Sequence, residues 1–338
     1  MIRPRIARWA AVGAALATAA TLATACSSSG SSASGGGSQA AGGKALTDVS
    51  MVEDPTLSAL AIYVAKQEGM FTKNGLNVTI TPQENITLIP QAISAGQYDF
   101  GLTAQPLLFN AVQRNLPLIA SAGGEIETAN PPLGEVMVPK SSGIKSAKDL
   151  VGKTIGVAAL VGATPVCLLS WFKSQGLNYT AKTMPVKMVQ VSFQDQLSQL
   201  QAGQIQAAMS ISPYWQPMTK QGFVGLGNAC ATVSQSQAND SFQISDSSWV
   251  QSHKATVKAV QTALNQADQW MTANPAQAIK ILATMSGVSL SALQGVQLPP
   301  FTSTVSETQL TQWLATMKSF GSFTGSLPKP MSSYVFAG

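Results

Sequence analysis

The sequence predicts an α/β protein built as two lobes, and three observations carry that reading. Short apolar runs of strand length alternate with amphipathic helical segments over residues 45–122. A second series of the same kind begins near Ser141 and runs to Ile211. Such alternation implies βαβ units and a largely parallel sheet. From Trp249 onward the pattern changes to helices, so the chain is expected to cross between lobes twice, near Pro139 and near residues 237–244.

In the first series, residues 45–52 read as a strand. Residues 55–68 follow as a helix with Leu57, Leu60, Ala61, Val64 and Ala65 on one stripe, stopped by Gly69. Strands at 76–81, 98–102 and 118–122 alternate with helices at 87–95 and 106–115; Pro106 sits in a first turn, where a missing N–H costs nothing. The loop 123–134 is polar and carries Pro131-Pro132, and 136–138 reads as a strand leaving the first lobe.

The second series opens with a capped turn at Ser146-Ala147-Lys148-Asp149. An apolar run at 154–160 has the length of a strand buried on both faces. The break at Gly162-Ala163-Thr164 leads into an apolar helix ending at Gly176. A strand at 186–191, a helix at 193–202 and a strand at 207–211 complete it. Among the late helices, one carries Val257, Val260, Leu264, Ala267 and Met271, the next begins at Pro275, and Ser306 to Gln309 form a capping box for the third. The tail, with Pro328 and Pro330, is expected to lie over the surface.

The N-terminus carries Arg3, Arg5 and Arg8, then an apolar run from Trp9 to Ala25, then Cys26. A basic segment followed by so short an apolar run is an export signal rather than a membrane span. Ala23-Thr24-Ala25-Cys26 resembles a bacterial lipobox, although Leu22 lies one place earlier than usual. Residues 1–25 are therefore read as a signal peptide, Cys26 as the lipidated mature N-terminus, and 27–43 as a Ser/Gly tether. Removal of the leader takes 20 positive residues to 17 against 15 acids, a balance of +2. Scattered lysines at that density exclude a nucleic-acid footprint. Cys167 and Cys230 remain; a disulfide and a pair of buried free thiols are both compatible with their spacing.

Candidate binding residues follow from where α/β sheets expose backbone donors, beyond the carboxyl ends of strands and at helix N-termini. These are Thr103, Ala104 and Gln105 after the third strand, Gly162, Ala163 and Thr164, and Ser210 and Ser212 with Tyr214 or Trp215 as a stacking wall. Gln83, Glu84 and Asn85 lie on the loop after the second strand. Glu125 and Glu127 read as members of a solvated loop. Arg114, the one arginine of the mature chain, sits at a helix C-terminus, so no arginine fork is expected at the cleft. Glu84 and Glu125 beside aromatic residues suit a neutral or weakly cationic nitrogen-containing molecule. The 154–164 stretch lacks the spacings of a nucleotide-binding loop.

Four patches carry a family resemblance: ALAIYVAKQEGMFTKNGLNVTI (59–80), QAISAGQYDFGL (91–102), IKSAKDLVGKTIGV (144–157) and QLSQLQAGQIQAAM (196–209). With their spacing, they resemble the periplasmic-type substrate-binding proteins of ABC importers, in the branch that binds nitrate, sulfonates, taurine and thiamine-precursor pyrimidines. The resemblance implies a type II two-lobe binding-protein fold, one lobe of 45–138 plus 240–338 and the other of 139–239. It implies a monomer anchored on the outer face of a bacterial cytoplasmic membrane, delivering a small solute to an ABC permease without a cofactor or metal. The alternative is an enzyme of the related pyrimidine-synthase group on the same fold. Against it stand the lone His253, expected on a helix surface, and the absence of a G-x-S-x-G elbow or an H-E-x-x-H motif.

Overall fold

The computed structural model describes residues 45–128, 130–233 and 241–338. The expected signal peptide, Cys26 and the tether lie outside the described residues. Two five-stranded sheets organise the rest. The strands are β1 (Thr47–Glu53), β2 (Leu76–Pro82), β3 (Phe100–Thr103), β4 (Leu118–Ala122), β5 (Gly134–Pro139), β6 (Thr154–Val157), β7 (Lys187–Gln190), β8 (Ala207–Ile211), β9 (Phe223–Gly225) and β10 (Phe242–Asp246). The first sheet runs β2-β1-β3-β10-β4 and the second β7-β6-β8-β5-β9.

Neither sheet is wholly parallel. β10 is antiparallel to both β3 and β4, and β5 is antiparallel to both β8 and β9. Thus β5 belongs to the second sheet, and the chain leaves the first lobe before Gly134 rather than at Pro139. β10 gives little hydrophobic signal because its Gln243 and Ser245 are buried polar residues. Their neighbours absorb that polarity: Ser121 Oγ lies 2.9 Å from Ser245 Oγ, and Gln243 Nε2 donates to Glu53 at 3.0 Å.

The helices are α1 (Leu60–Gln67), α2 (Met70–Lys73), α3 (Ile89–Ser94), α4 (Gln105–Gln113), α5 (Ala163–Ser174), α6 (Gln196–Gln201), α7 (Trp215–Thr219), α8 (Ser247–Ser252), α9 (Lys254–Ala273), α10 (Pro275–Ser286) and α11 (Glu307–Ser319). The stripe of α9, Val257, Val260, Leu264, Ala267 and Met271, is fully inside and packs with Leu60, Val64 and Leu282 of α1 and α10. α11 contributes Leu310, Trp313 and Met317 to a second cluster. His253 is half-buried and stacks on Trp249, with ring centroids 4.5 Å apart. The expected strand at 154–160 ends at Val157, and Leu160 and Val161 are exposed because the chain turns there towards α5. The tail does more than cover a surface. Val335 bridges Ala120 in parallel, and Phe336 N donates to the Ala120 carbonyl at 2.9 Å, against the outer side of β4.

This topology brings two strand edges together. The carboxyl ends of β1 and β3 and the amino end of antiparallel β10 lie on one edge of the first sheet, since Phe242 pairs with Thr103. The second sheet likewise presents the carboxyl ends of β6 and β8 with the amino end of β5, since Gly134 pairs with Ile211.

Candidate ligand-binding site

Between those edges lies a cavity with an empty volume of about 730 Å³, its open mouth included. From the first sheet it receives Asp54, Thr103, Ala104 and Ser241, and from the second Gly134, Ala159, Ser210 and Ile211. Ala163 and Thr164 reach it from the first turn of α5. The apolar share of the wall includes Ile86, Leu102, Phe193 and Met209. Cys230 also lines it and is disulfide-bonded to Cys167 of α5, so the helix that delivers Ala163 and Thr164 is tied covalently to a neighbouring stretch of wall.

The polar part of the wall is acidic. Asp54 directly follows β1, and Glu127 comes from the segment after β4; both line the cavity and both are buried. Glu125 lies beside them, held by Ser58 Oγ at 2.6 Å and Ser241 Oγ at 2.5 Å, each donating to a different carboxylate oxygen. Two glycines make that inward position possible. Residues 123–126 run against 300–303, with Gly123 N donating to Ser303 O and Thr302 N donating to Gly124 O, both at 2.9 Å. A Cβ on Gly123 would stand 2.2 Å from the Thr302 carbonyl oxygen, and one on Gly124 would stand 2.5 Å from that of Ser241. Only glycine fits so close a backbone approach.

Glu125 and Glu127 are thus not solvated loop residues. The polar sequence around them hides a segment clamped between Ser241 and the 300–303 stretch. Removal from water pushes these carboxyls up. Glu127 rises to about 7 through burial, partly offset by the Asn228 side chain, which donates to Oε1 at 2.8 Å. Asp54 is raised well above the ordinary range, chiefly by burial and then by the charges of Glu84 and Glu125. Burial raises Glu125 against the opposing bonds from Ser241 and Ser58. Behind the wall, Glu53 is pushed up to about 8 by burial, with the Gln243 bond opposing.

Four cavity-lining polar atoms make no hydrogen bond among the described residues: Asp54 Oδ1, Glu127 Oε2, Thr103 Oγ1 and Ser210 Oγ. All four side chains are less than 5% exposed. Buried polar groups are normally satisfied, so these four offer two carboxyl oxygens and two hydroxyls to whatever fills the space. No Lys, Arg or His is among the lining residues, and the undescribed stretches 129 and 234–240 include none.

The family model for NMT1/THI5-like proteins matches residues 57–278, well over half of the chain. The chain belongs to the NMT1/THI5-like family. Three relatives are similar over parts of it. A putative thiamine biosynthesis protein of Haemophilus influenzae is 40% identical over 96 residues, 28% of this chain and 29% of that protein. The formylaminopyrimidine-binding protein of Halalkalibacterium halodurans is 25% identical over 246 residues, 71% of each. The 4-amino-5-hydroxymethyl-2-methylpyrimidine phosphate synthase of Schizosaccharomyces pombe is 30% identical over 123 residues, 36% of this chain and 34% of the enzyme. The chain therefore spans only about a third of the length of two of these relatives.

Solved structures share the fold. The alkanesulfonate-binding protein SsuA of Xanthomonas axonopodis pv. citri, bound to MOPS, aligns at TM-score 0.71 with 19% identity, over 85% of this chain and 96% of that one. The periplasmic nitrate-binding protein NrtA of Synechocystis PCC 6803 aligns at 0.68 with 13% identity, over 83% of each. This member of the NMT1/THI5-like family thus has the periplasmic binding protein fold.

Of the residues singled out from sequence, Thr103, Ala104, Ala163, Thr164 and Ser210 line the cavity. Gln105 is buried in the first turn of α4, one residue beyond the lining. Gly162 faces a separate groove with Leu160 and Val161. Gln83 and Asn85 are occupied with each other and the next turn: Gln83 Oε1 accepts from Asn85 N at 2.9 Å and Asn85 Oδ1 accepts from Thr87 Oγ1 at 2.6 Å. Ser212 accepts from Gln216 Nε2 at 2.8 Å, and Trp215 donates from Nε1 to the Leu133 carbonyl at 3.3 Å while packing against Met137, Leu200 and Ile205. Neither lines the cavity. The aromatic wall expected at Tyr214 or Trp215 is supplied instead by Phe193, and the Tyr214 ring stacks behind it at 6.4 Å. Sequence reasoning missed Asp54, Thr56, Ser58, Phe193 and Ser241. For Asp54 the signal was present: an Asp-Pro pair directly after an apolar strand marks that strand's carboxyl end.

Proposed function

We propose that this protein is the solute-binding component of an ABC importer, acting outside the cytoplasmic membrane, and that its solute is a small nitrogen-rich heterocycle of the aminopyrimidine class. One observation carries the ligand class: the unsatisfied acidic wall at Asp54 and Glu127 in a cavity without a cation. A nitrate or sulfonate entering there would meet carboxyl groups and no opposing charge, which is costly away from water. An aminopyrimidine edge is complementary. Its exocyclic amine donates to a carboxyl oxygen while a ring nitrogen accepts from the same group in its protonated form, and raised pKa values favour that form. Thr103 and Ser210 then face the substituents, and Phe193 the ring. The formylaminopyrimidine-binding name of the Halalkalibacterium relative supports the same reading.

The test is a panel of solutes assayed by calorimetry and thermal shift. 4-Amino-5-hydroxymethyl-2-methylpyrimidine and its formylated amine relative are expected to stabilise the protein, by about 2.7 kcal/mol at a hundredfold excess over Kd. Taurine, nitrate and alkanesulfonates are expected to do nothing. Stabilisation by the anions alone overturns the ligand class. The fission-yeast relative is named a synthase, which keeps an enzymatic reading in view. No formation of pyrimidine phosphate by the purified protein during prolonged incubation with a small-molecule cell extract is the outcome expected of a binding protein, and its appearance would establish the synthase.

A further inference from the structure

We infer that Tyr214 is a cross-lobe latch, a positioning residue that holds the cavity shut around its occupant; the inference rests on the ligand-binding reading above. Tyr214 belongs to the second lobe, three residues beyond β8. Its hydroxyl donates to the Pro55 carbonyl of the first lobe at 2.9 Å, with the Ser286 carbonyl at 3.4 Å, and accepts from Gln194 Nε2 at 3.1 Å. A backbone bond runs beside it, from Leu57 N to the Ser212 carbonyl at 2.9 Å. Residues 55–57 and 212–214 are therefore joined twice, side by side, across the gap between the sheets.

The place of this junction gives it consequence. Pro55 sits between Asp54 and Thr56, both of which line the cavity. The Tyr214 ring lies nearly parallel to Phe193, with 7° between the planes, and Phe193 is the aromatic wall that Tyr214's own lobe presents to the cavity. One side chain thus grips the acidic edge with its hydroxyl and backs the aromatic edge with its ring. Only 6% of Tyr214 is exposed. Burial, followed by the negative charge of Asp54, raises its phenol above the ordinary value, so the group stays a donor throughout the physiological range. When the lobes separate, the hydroxyl and the Pro55 carbonyl both return to water. Their bond then favours the closed state alone, and closure is biased only by such differential contacts.

The experiment compares the wild type with Tyr214→Phe, which removes one oxygen and keeps the ring stack. Spin labels at Lys148→Cys and Lys258→Cys, both exposed and one on each lobe, report the interlobe distance, and stopped-flow mixing with 4-amino-5-hydroxymethyl-2-methylpyrimidine gives the binding rates. Tyr214→Phe is expected to release the pyrimidine on the order of tenfold faster, as loss of about one hydrogen bond implies, with an association rate within about twofold. Its distance distribution should shift towards the open form while the ligand-free melting temperature stays unchanged. Unchanged release with superimposable distances overturns the latch, as does an equal loss of melting temperature in free and bound forms without faster release. Should the wild type bind neither pyrimidine, the ligand reading falls by itself. The ligand-free distances then still decide the latch: a shift towards the open form sustains it and superposition removes it.

Discussion

Asp54 and Glu127 are the residues on which recognition is expected to turn. Asp54→Leu roughly preserves volume but removes both oxygens, leaving the amine without an acceptor and the ring nitrogen without a donor. It is expected to weaken pyrimidine binding by about 2–3 kcal/mol, measured by calorimetry, as for loss of a hydrogen bond to a group that exchanges charge. These carboxyls, together with Glu53 behind them, set a pH dependence. Their folded-state values lie above the ordinary one, so the folded protein holds more protons than the unfolded chain over the intervening range. The stability they contribute is complete below about 4.5 and is lost as pH rises through the folded values, near 7 for Glu127 and near 8 for Glu53. Urea midpoints of the ligand-free protein should therefore fall between pH 5 and pH 8 by this contribution, and Glu127→Gln should flatten the slope. A midpoint that rises over that range would contradict the burial of these groups. Why Glu125 and Glu127 look like loop residues in the sequence is plain at this scale. Their burial depends on Ser58, Ser241 and Asn228, which are 67, 116 and 101 positions away.

The elements divide into those whose own residues specify them and those whose neighbours do. β1, β3, β4 and β8 are apolar runs ended by polar or turn residues, and α9 and α11 carry unbroken stripes, so period and punctuation were enough to find them. β10 and β9 escaped. β10 offers only Phe242 and Ile244 as apolar residues and sets Gln243 and Ser245 in a buried polar ladder with Ser121 and Glu53, and β9 is only three residues long. The clamp of residues 123–126 against 300–303 is likewise invisible locally. It predicts that Gly123→Ala, whose methyl would press on a backbone oxygen rather than on a yielding side chain, costs about 1–3 kcal/mol by denaturant unfolding. A cost within experimental error would show that the two segments part easily. The Cys167–Cys230 disulfide spans 63 positions, for which the chain-entropy estimate is about 4 kcal/mol. Replacing both cysteines with serine should lower stability by a value of that order, and should also weaken ligand binding, because the bond fixes the start of α5 against the cavity wall.

For the molecule as a whole, the two-lobe plan was legible because it depends on the order of strands and helices, while the point of crossing was not. Val136, Met137 and Val138 satisfy either sheet by composition, and only their pairing with β8 and β9 assigns them to the second. The candidate site was half legible for the same reason. Thr103, Ala104, Ala163, Thr164 and Ser210 announce themselves as strand and helix ends, whereas the acidic wall and Phe193 become a site only when the two edges face each other. The leader and lipid anchor expected from the sequence lead to a prediction at this scale: radiolabelled palmitate should be incorporated into the wild type in a bacterial host, and Cys26→Ser should abolish labelling and release the protein from the membrane fraction. The segment around Val335 and Phe336 has a further consequence. By laying backbone along β4 it occupies hydrogen-bonding positions that would otherwise be open to strand pairing by another molecule. Truncation after Pro330 should therefore leave the cavity residues in place yet yield a protein that self-associates, visible as a concentration-dependent rise in mass by light scattering, so that the last turn of chain protects solubility rather than recognition.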